Sequence, residues 1–91
     1  MSTEYVDRIT PAQCRGARAL VEMTQPELAE AANLSLSTVV DFERSRRDVS
    51  VDAAKAIRKA LERADIEFIN ENGGGPGVRL RKRLGSKIPR K

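Results

Sequence analysis

Apolar residues recur at three- and four-residue steps through the first two thirds of the chain, which is the spacing that puts side chains on one face of an α-helix. Helix start signals divide this region. Thr10-Pro11-Ala12-Gln13 and Thr24-Gln25-Pro26-Glu27 both have the capping-box pattern, in which a Thr N-cap and a Gln or Glu three residues later cap each other. Ser35 and Ser50 are the next N-cap candidates. The pattern predicts four helices, at residues 11–23, 25–32, 36–44 and 51–64.

The same periodicity predicts which side chains face the core. Asn33 is expected to end the second helix in a left-handed conformation, and Leu34 to point inward from the following turn. The predicted buried positions are Cys14, Ala17, Leu20 and Val21 in the first helix, Val39 and Phe42 in the third, and Ala54, Ile57 and Leu61 in the fourth.

After Asp65 the helical periodicity stops. Residues 66–69 are β-branched or aromatic apart from one Glu, residues 70–77 contain four glycines and a proline, and residues 78–81 alternate apolar with basic. The pattern predicts two strands, at 66–69 and 78–82, joined by a flexible glycine loop. Because an isolated two-stranded ribbon is marginal in water, the strands should pack on the fourth helix or pair with a second chain.

Charge is distributed unevenly along the chain. The formal net charge is +4, but residues 79–91 carry seven basic and no acidic side chains, whereas residues 1–78 carry ten basic and thirteen acidic ones. A basic block of this kind is either an arm that binds a polyanion or a solvated terminus. Residues 10–65 carry nine of each sign. Net charge therefore does not make this region a nucleic-acid binder, and any such role must come from where its arginines lie.

Composition excludes several classes of protein. There is no His and one Cys, so neither an imidazole base, a Cys/His zinc cluster nor an internal disulfide is available. Ninety-one residues leave little room for a deep substrate pocket beside a core, and no apolar run is long enough for a membrane span. We expect a cytoplasmic protein that is not an enzyme and has no cofactor, bound metal or membrane partner.

Residues 25–44 are predicted to form two helices joined by a short turn. This arrangement allows the second helix to enter the major groove of DNA, although any compact helical bundle could contain it. The residue types are more specific. The segment TQPELAEAANLSLSTVVDFERSRR, at residues 24–47, resembles the helix-turn-helix of the Xre/Cro phage-repressor family of bacterial transcriptional regulators. The resemblance covers about residues 10–64. Its matching positions are Gln25, Ala29, the turn residue Asn33, Val39 and Glu43, and Asn33 departs from the glycine that is usual in the family.

The resemblance implies a mainly α fold, namely a four-helix phage-repressor-like domain followed by a C-terminal strand pair and a basic tail. It also implies an ion pair between Arg18 and Glu43 that braces the third helix. That helix is the expected recognition helix, and Asp41 would either select a base or be held by Arg44. The expected base contacts are Leu36, Ser37, Val40, Asp41 and Arg44, and the expected phosphate contacts are Gln25, Arg18, Thr38, Arg46 and Arg47.

These expectations give four segments and one preferred function. The segments are a flexible arm at 1–9, the DNA-binding domain at 10–65, a β element at 66–83 for dimerisation or core completion, and a disordered basic tail at 84–91. The preferred function is a transcriptional regulator, such as a repressor, that binds a palindromic operator in double-stranded DNA as a homodimer. Two alternatives stay open. One is a DNA-binding antitoxin whose C-terminal segment binds a protein partner, and the other is a protein- or RNA-interaction module.

Overall fold

The fold is known from a computed structural model, which describes residues 8–81. Four helices are followed by an antiparallel pair of strands, so the predicted mainly α fold class is confirmed. Most of the predicted arm at 1–9 and all of the predicted tail at 84–91 lie outside the described residues. The elements are α1 (Pro11–Val21), α2 (Gln25–Ala32), α3 (Leu36–Glu43), α4 (Val51–Arg63), β1 (Ile66–Ile69) and β2 (Gly77–Leu80).

The helices begin where their capping residues predict. The Thr10 hydroxyl accepts from the Gln13 backbone N–H at 3.0 Å, and the Gln13 side-chain oxygen accepts from the Thr10 N–H at 2.8 Å. Thr24 and Glu27 repeat this exchange at the start of α2. Each box satisfies two N–H groups that the first helical turn leaves without an intrahelical partner.

The turn between α2 and α3 has the predicted conformation. Asn33 is left-handed, with φ 59°, and the Leu34 N–H donates to the Ala29 carbonyl at 2.9 Å. Leu34 is half-buried and packs on the core. Ala29 is buried between the two helices, where a small side chain allows them to approach closely. The backbone of the predicted helix-turn-helix is therefore present.

The largest error in the predicted core is at Leu20, which is 43% exposed. Helix α1 ends at Val21, two residues earlier than predicted, because Glu22 takes a left-handed conformation and the Met23 N–H closes onto the Arg18 carbonyl at 2.9 Å. Contacts of the strand pair with α1 occur at Gln13 and Gly16, which precede this last turn. The other predicted core positions are buried or, at Val21, partly buried.

The strand pair contributes side chains to the core of the domain. Ile66 and Phe68 on β1 are buried, and Phe68 pairs with Val78 of β2 in the antiparallel register. The Gln13 side-chain N–H₂ donates to the carbonyls of Ile69 and Gly77, at 3.2 and 2.9 Å, and so joins both strands to α1. β2 begins and ends slightly before the predicted 78–82. The strand pair packs on α1 as well as on α4, which was the predicted packing partner.

The chain before α1 also packs on this domain. Ile9, which belonged to the predicted arm, is buried, and the Arg8 guanidinium donates to the Val49 carbonyl at 3.2 Å. These two residues are therefore part of the folded unit. Across residues 8–81, none of the helices is long and apolar enough to cross a membrane.

Candidate nucleic-acid interface

Helix α3 has one buried and one exposed side. Val39, Phe42 and Glu43 point into the domain. On the opposite side, Ser37 and Arg44 are exposed and Val40 is half-buried. Leu36, at the first turn, is 45% exposed, although a leucine normally tends to be buried. The five residues predicted to contact bases thus remain accessible on the outer part of α3, which we call the outer face: Leu36, Ser37, Val40, Asp41 and Arg44.

Hydroxyl groups cluster at the beginning of this outer face. The Ser35 Oγ caps α3 by accepting from the Thr38 N–H at 3.2 Å. It also lies 2.8 Å from the Thr38 Oγ1 and 3.1 Å from the Ser37 Oγ. A hydroxyl both donates and accepts, so the cluster offers adaptable hydrogen bonding at the end of α3 that carries the positive part of the helix dipole.

The orientation of α3 is fixed at its other end by a buried carboxylate. The Glu43 side chain is 1% exposed and accepts four hydrogen bonds from two other helices. Arg18 of α1 binds it through two nitrogens, with Nε 2.7 Å from Oε2 and NH2 2.8 Å from Oε1. The Gln25 Nε2 donates to Oε1 at 2.9 Å, and the Cys14 Sγ donates to Oε2 at 3.0 Å. We call Glu43 and these three donors the Glu43 cluster; it joins α1, α2 and α3.

The protonation states in the Glu43 cluster follow from its contacts. Burial by itself would raise the pKa of Glu43, but the hydrogen bonds from Arg18, Cys14 and Gln25 outweigh burial and hold that pKa below its usual value. Burial, reinforced by the hydrogen bond to Glu43, raises the pKa of the Cys14 thiol. The thiol therefore stays protonated and acts as a donor to the ionised carboxylate.

Sequence reasoning identified only part of this cluster. The predicted Arg18–Glu43 pair is confirmed, whereas Cys14 was predicted as a plain core residue and its contact with Glu43 was missed. Arg15, which donates to the Glu43 backbone carbonyl, was also missed. The sequence did contain a signal for the contact between Cys14 and Glu43. Cys14 and Arg18 are four residues apart and share a face of α1, so a partner of Arg18 also lies near Cys14.

Two residues predicted to contact phosphate are turned toward this cluster. The Arg18 guanidinium also donates to the Met23 carbonyl at 3.0 Å, and its side chain is 20% exposed. The Gln25 amide nitrogen lies at the start of α2 but points to Glu43. Both residues position α3 in the absence of DNA, and their contacts with phosphate remain predictions.

The outer face carries one acidic side chain, and its partner differs from the one predicted. Asp41 Oδ2 accepts from the Nε of Arg47 at 2.9 Å, not from Arg44. The reason is the backbone after α3, where Ser45 is left-handed with φ 56° and the Arg46 N–H closes onto the Asp41 carbonyl at 2.9 Å. This reversal turns the following residue back toward Asp41. Arg44 and Arg46 are exposed beside the pair.

The depressed pKa of Glu43 makes folding stability depend on pH. A carboxyl group with a lowered pKa in the folded state contributes stability above its unfolded pKa, about 4.3, and that contribution is lost as the pH falls through the folded value. We expect the free energy of unfolding, from urea titrations, to fall from about pH 5 to pH 3 more steeply in the wild type than in Glu43→Gln. Equal slopes for the two proteins would contradict the assignment.

Comparison with known proteins agrees with this geometry. A family model described as helix-turn-helix matches residues 15–68, which is more than half of the chain and includes α2, α3 and the whole Glu43 cluster except Cys14. A search of curated proteins finds no significant match. Among the described residues, no group of three or more Cys, Asp or Glu side chains is arranged to hold a metal ion.

Proposed function

The chain belongs to the Xre/Cro-like helix-turn-helix family of DNA-binding regulators, and on that premise we propose that it binds specific DNA sequences as a dimer with α3 in the major groove. The observation that carries the proposal is the Glu43 cluster. It holds α3 against α1 and α2 with the outer face directed away from the core. A recognition helix must be oriented in this way before it meets DNA, because reorienting it on binding would reduce affinity.

Four of the five outer-face residues, all except Asp41, have side chains that suit base edges. The Ser37 hydroxyl can bond to several bases, and Leu36 or Val40 can contact a thymine methyl group. The exposed Arg44 guanidinium can donate two parallel hydrogen bonds to guanine. About two turns of α3 therefore carry both polar and apolar side chains that can contact bases.

Phosphate contacts would surround the outer face. Arg46 is exposed directly after α3, and Thr38 and Gln25 lie in the first turns of α3 and α2, where backbone N–H groups favour anions. Arg18 retains N–H groups beyond those bound to Glu43 and Met23, and its exposed edge could reach a phosphate. These contacts would set the register of α3 in the groove and make affinity depend on salt.

Dimerisation is the part of the proposal that supplies enough interface. A single module buries about 600–1,000 Å² on DNA, which is small for a specific site. Leu80 of β2 is 52% exposed and Leu20 of α1 is 43% exposed, so the strand pair and the end of α1 offer apolar surface for a second copy. Two recognition helices about 34 Å apart would then bind a palindrome with half-sites one helical turn apart.

Arg44→Ala tests the proposal. We expect the affinity for a preferred DNA sequence to fall about 5- to 150-fold, because a bidentate arginine–guanine contact is lost. The measurement is fluorescence anisotropy on preferred and scrambled duplexes at one salt concentration. Lys59→Ala is the control, since Lys59 is an exposed cation on α4 and its loss removes the same charge. Equal losses in the two variants would contradict a base-reading α3.

A further inference from the structure

The pair formed by Asp41 and Arg47 lies on the outer face, where an acid would ordinarily oppose DNA binding. Asp41 is 21% exposed and Arg47 is 53% exposed, and the 2.9 Å contact joins Oδ2 of the first to Nε of the second. Asp41 is four residues from Ser37 and three from Arg44, so the three residues share the side of α3 that faces away from Val39. Asp41 therefore lies in the middle of the outer face, and the contact brings the Arg47 guanidinium beside it.

The hydrogen bond to Asp41 occupies only part of the Arg47 guanidinium, and the Arg47 side chain is 53% exposed. A guanidinium has one N–H at Nε and four at its two terminal nitrogens, all in one plane. Asp41 takes the Nε position. Within residues 8–81, the terminal nitrogens of Arg47 make no hydrogen bond, so they form a planar fork of donors on a guanidinium that Asp41 holds at Nε. Such a fork matches the O6 and N7 acceptors of guanine in the major groove.

The backbone holds the pair in place. The left-handed Ser45 and the bond from the Arg46 N–H to the Asp41 carbonyl return the chain to α3 just before Arg47. Without these restraints, a long and flexible arginine side chain would lose rotamer entropy on adopting one geometry at DNA. Both the backbone closure and the Asp41 carboxylate restrict that freedom before DNA arrives.

From this arrangement, and resting on the proposed function, we infer that Arg47 reads a guanine in the major groove and that Asp41 is the positioning residue that holds its guanidinium. This assignment replaces two expectations from sequence, a phosphate role for Arg47 and a direct base contact for Asp41. It also explains why an acid is present on the outer face. Asp41 limits binding to unrelated DNA, while its partner gains a fixed orientation toward one base.

The experiment measures how the full-length protein discriminates bases, position by position. The wild type and each variant compete for a set of duplexes in which every base pair of the wild type's preferred sequence is changed in turn. The variants are Arg47→Lys and Asp41→Ala, with Arg46→Lys as the matched control. Lysine keeps the charge needed by a phosphate contact but cannot present the guanidinium fork. Circular dichroism confirms that each variant is folded.

We expect Arg47→Lys to lose about 5- to 150-fold discrimination at one guanine per half-site while the other positions keep theirs. Asp41→Ala should weaken discrimination at that same guanine and bind scrambled DNA more tightly than the wild type does. Arg46→Lys should change no position selectively.

Two results would overturn the inference while leaving the proposed function intact. One is an Arg47→Lys variant that keeps the wild-type discrimination at every position, which would make Arg47 a phosphate contact. The other is an effect of Asp41→Ala at a different base pair from Arg47→Lys, which would make Asp41 an independent reader. A wild type that discriminates no sequence at all would overturn the proposed function and the inference together.

Discussion

Glu43→Ala should lower the free energy of unfolding by about 3–5 kcal/mol, because removing one member of a buried ion pair leaves the other without compensation. Arg18, Gln25 and Cys14 would all lose an acceptor that is 1% exposed in the wild type. A domain of this size is stable by only about 5–15 kcal/mol, so the substitution should remove a large share of the stability at 25 °C. Urea denaturation followed by circular dichroism measures the change.

A matched control is available in α4. Glu62 pairs with Arg58 at 2.9 Å, but its side chain is 35% exposed and the pair lies on the helix surface. Glu62→Ala should therefore cost less than about 1 kcal/mol. Replacing both members of the buried pair with apolar residues, as in Arg18→Met with Glu43→Leu, should recover part of the loss. If Glu43→Ala cost no more than Glu62→Ala, the Glu43 cluster would not be what holds α3.

Ile66→Ala should destabilise the whole domain by about 2–5 kcal/mol, because β1 supplies part of its single core. Ile66 is completely buried, and the strand that carries it is joined to α1 through Gln13. Unfolding by urea should remain one cooperative transition with a lower midpoint. Loss of the strand pair alone, with the helices unfolding at the wild-type midpoint, would show that the strands are an appendage.

The control for this prediction is Leu36→Ala. It removes a comparable aliphatic side chain from an outer-face position that is 45% exposed, so the free energy of unfolding should change by no more than about 0.5 kcal/mol. The same variant would still lose any contact that Leu36 makes with DNA. Comparing the free energies of unfolding of the two variants therefore distinguishes a core residue, Ile66, from an exposed residue of the outer face, Leu36.

The fold could be predicted from sequence wherever the signal was local. Thr10 and Thr24 each carry their capping partner three residues away, and Asn33 has a side chain that tolerates the left-handed turn. Such signals depend only on neighbours within one helical turn, so they can be interpreted without knowing how the rest of the chain folds. The periodic burial of Ile57 and Leu61 is equally local, because one face of α4 must meet the core.

Features set by distant segments were harder to predict. Leu20 has the right spacing for burial but is 43% exposed, because helical periodicity does not tell whether another element covers a given turn of α1. Gln13 was predicted as a capping residue, yet it also donates to two carbonyls more than fifty residues away. No pattern within α1 contains that information, because the acceptors are backbone atoms of another element.

In the candidate site, too, some features could be predicted from the sequence and others could not. The accessible outer face of α3 follows from the burial of Val39 and Phe42, and the Arg18–Glu43 pair followed from family resemblance. The Asp41–Arg47 pair did not, because helix spacing favoured Arg44 and the left-handed turn at Ser45 changes the direction of the chain after α3. A helix-based rule stops applying where the helix ends.

The central claim is that α3, held by the Glu43 cluster, reads DNA sequence in the major groove. Its most direct test is selection of bound duplexes from a random library by the full-length protein, repeated at several salt concentrations. We expect one enriched sequence with two-fold symmetry and half-sites one helical turn apart, and a loss of affinity with salt that reflects the phosphates contacted. Binding without an enriched sequence at any salt concentration would contradict the claim.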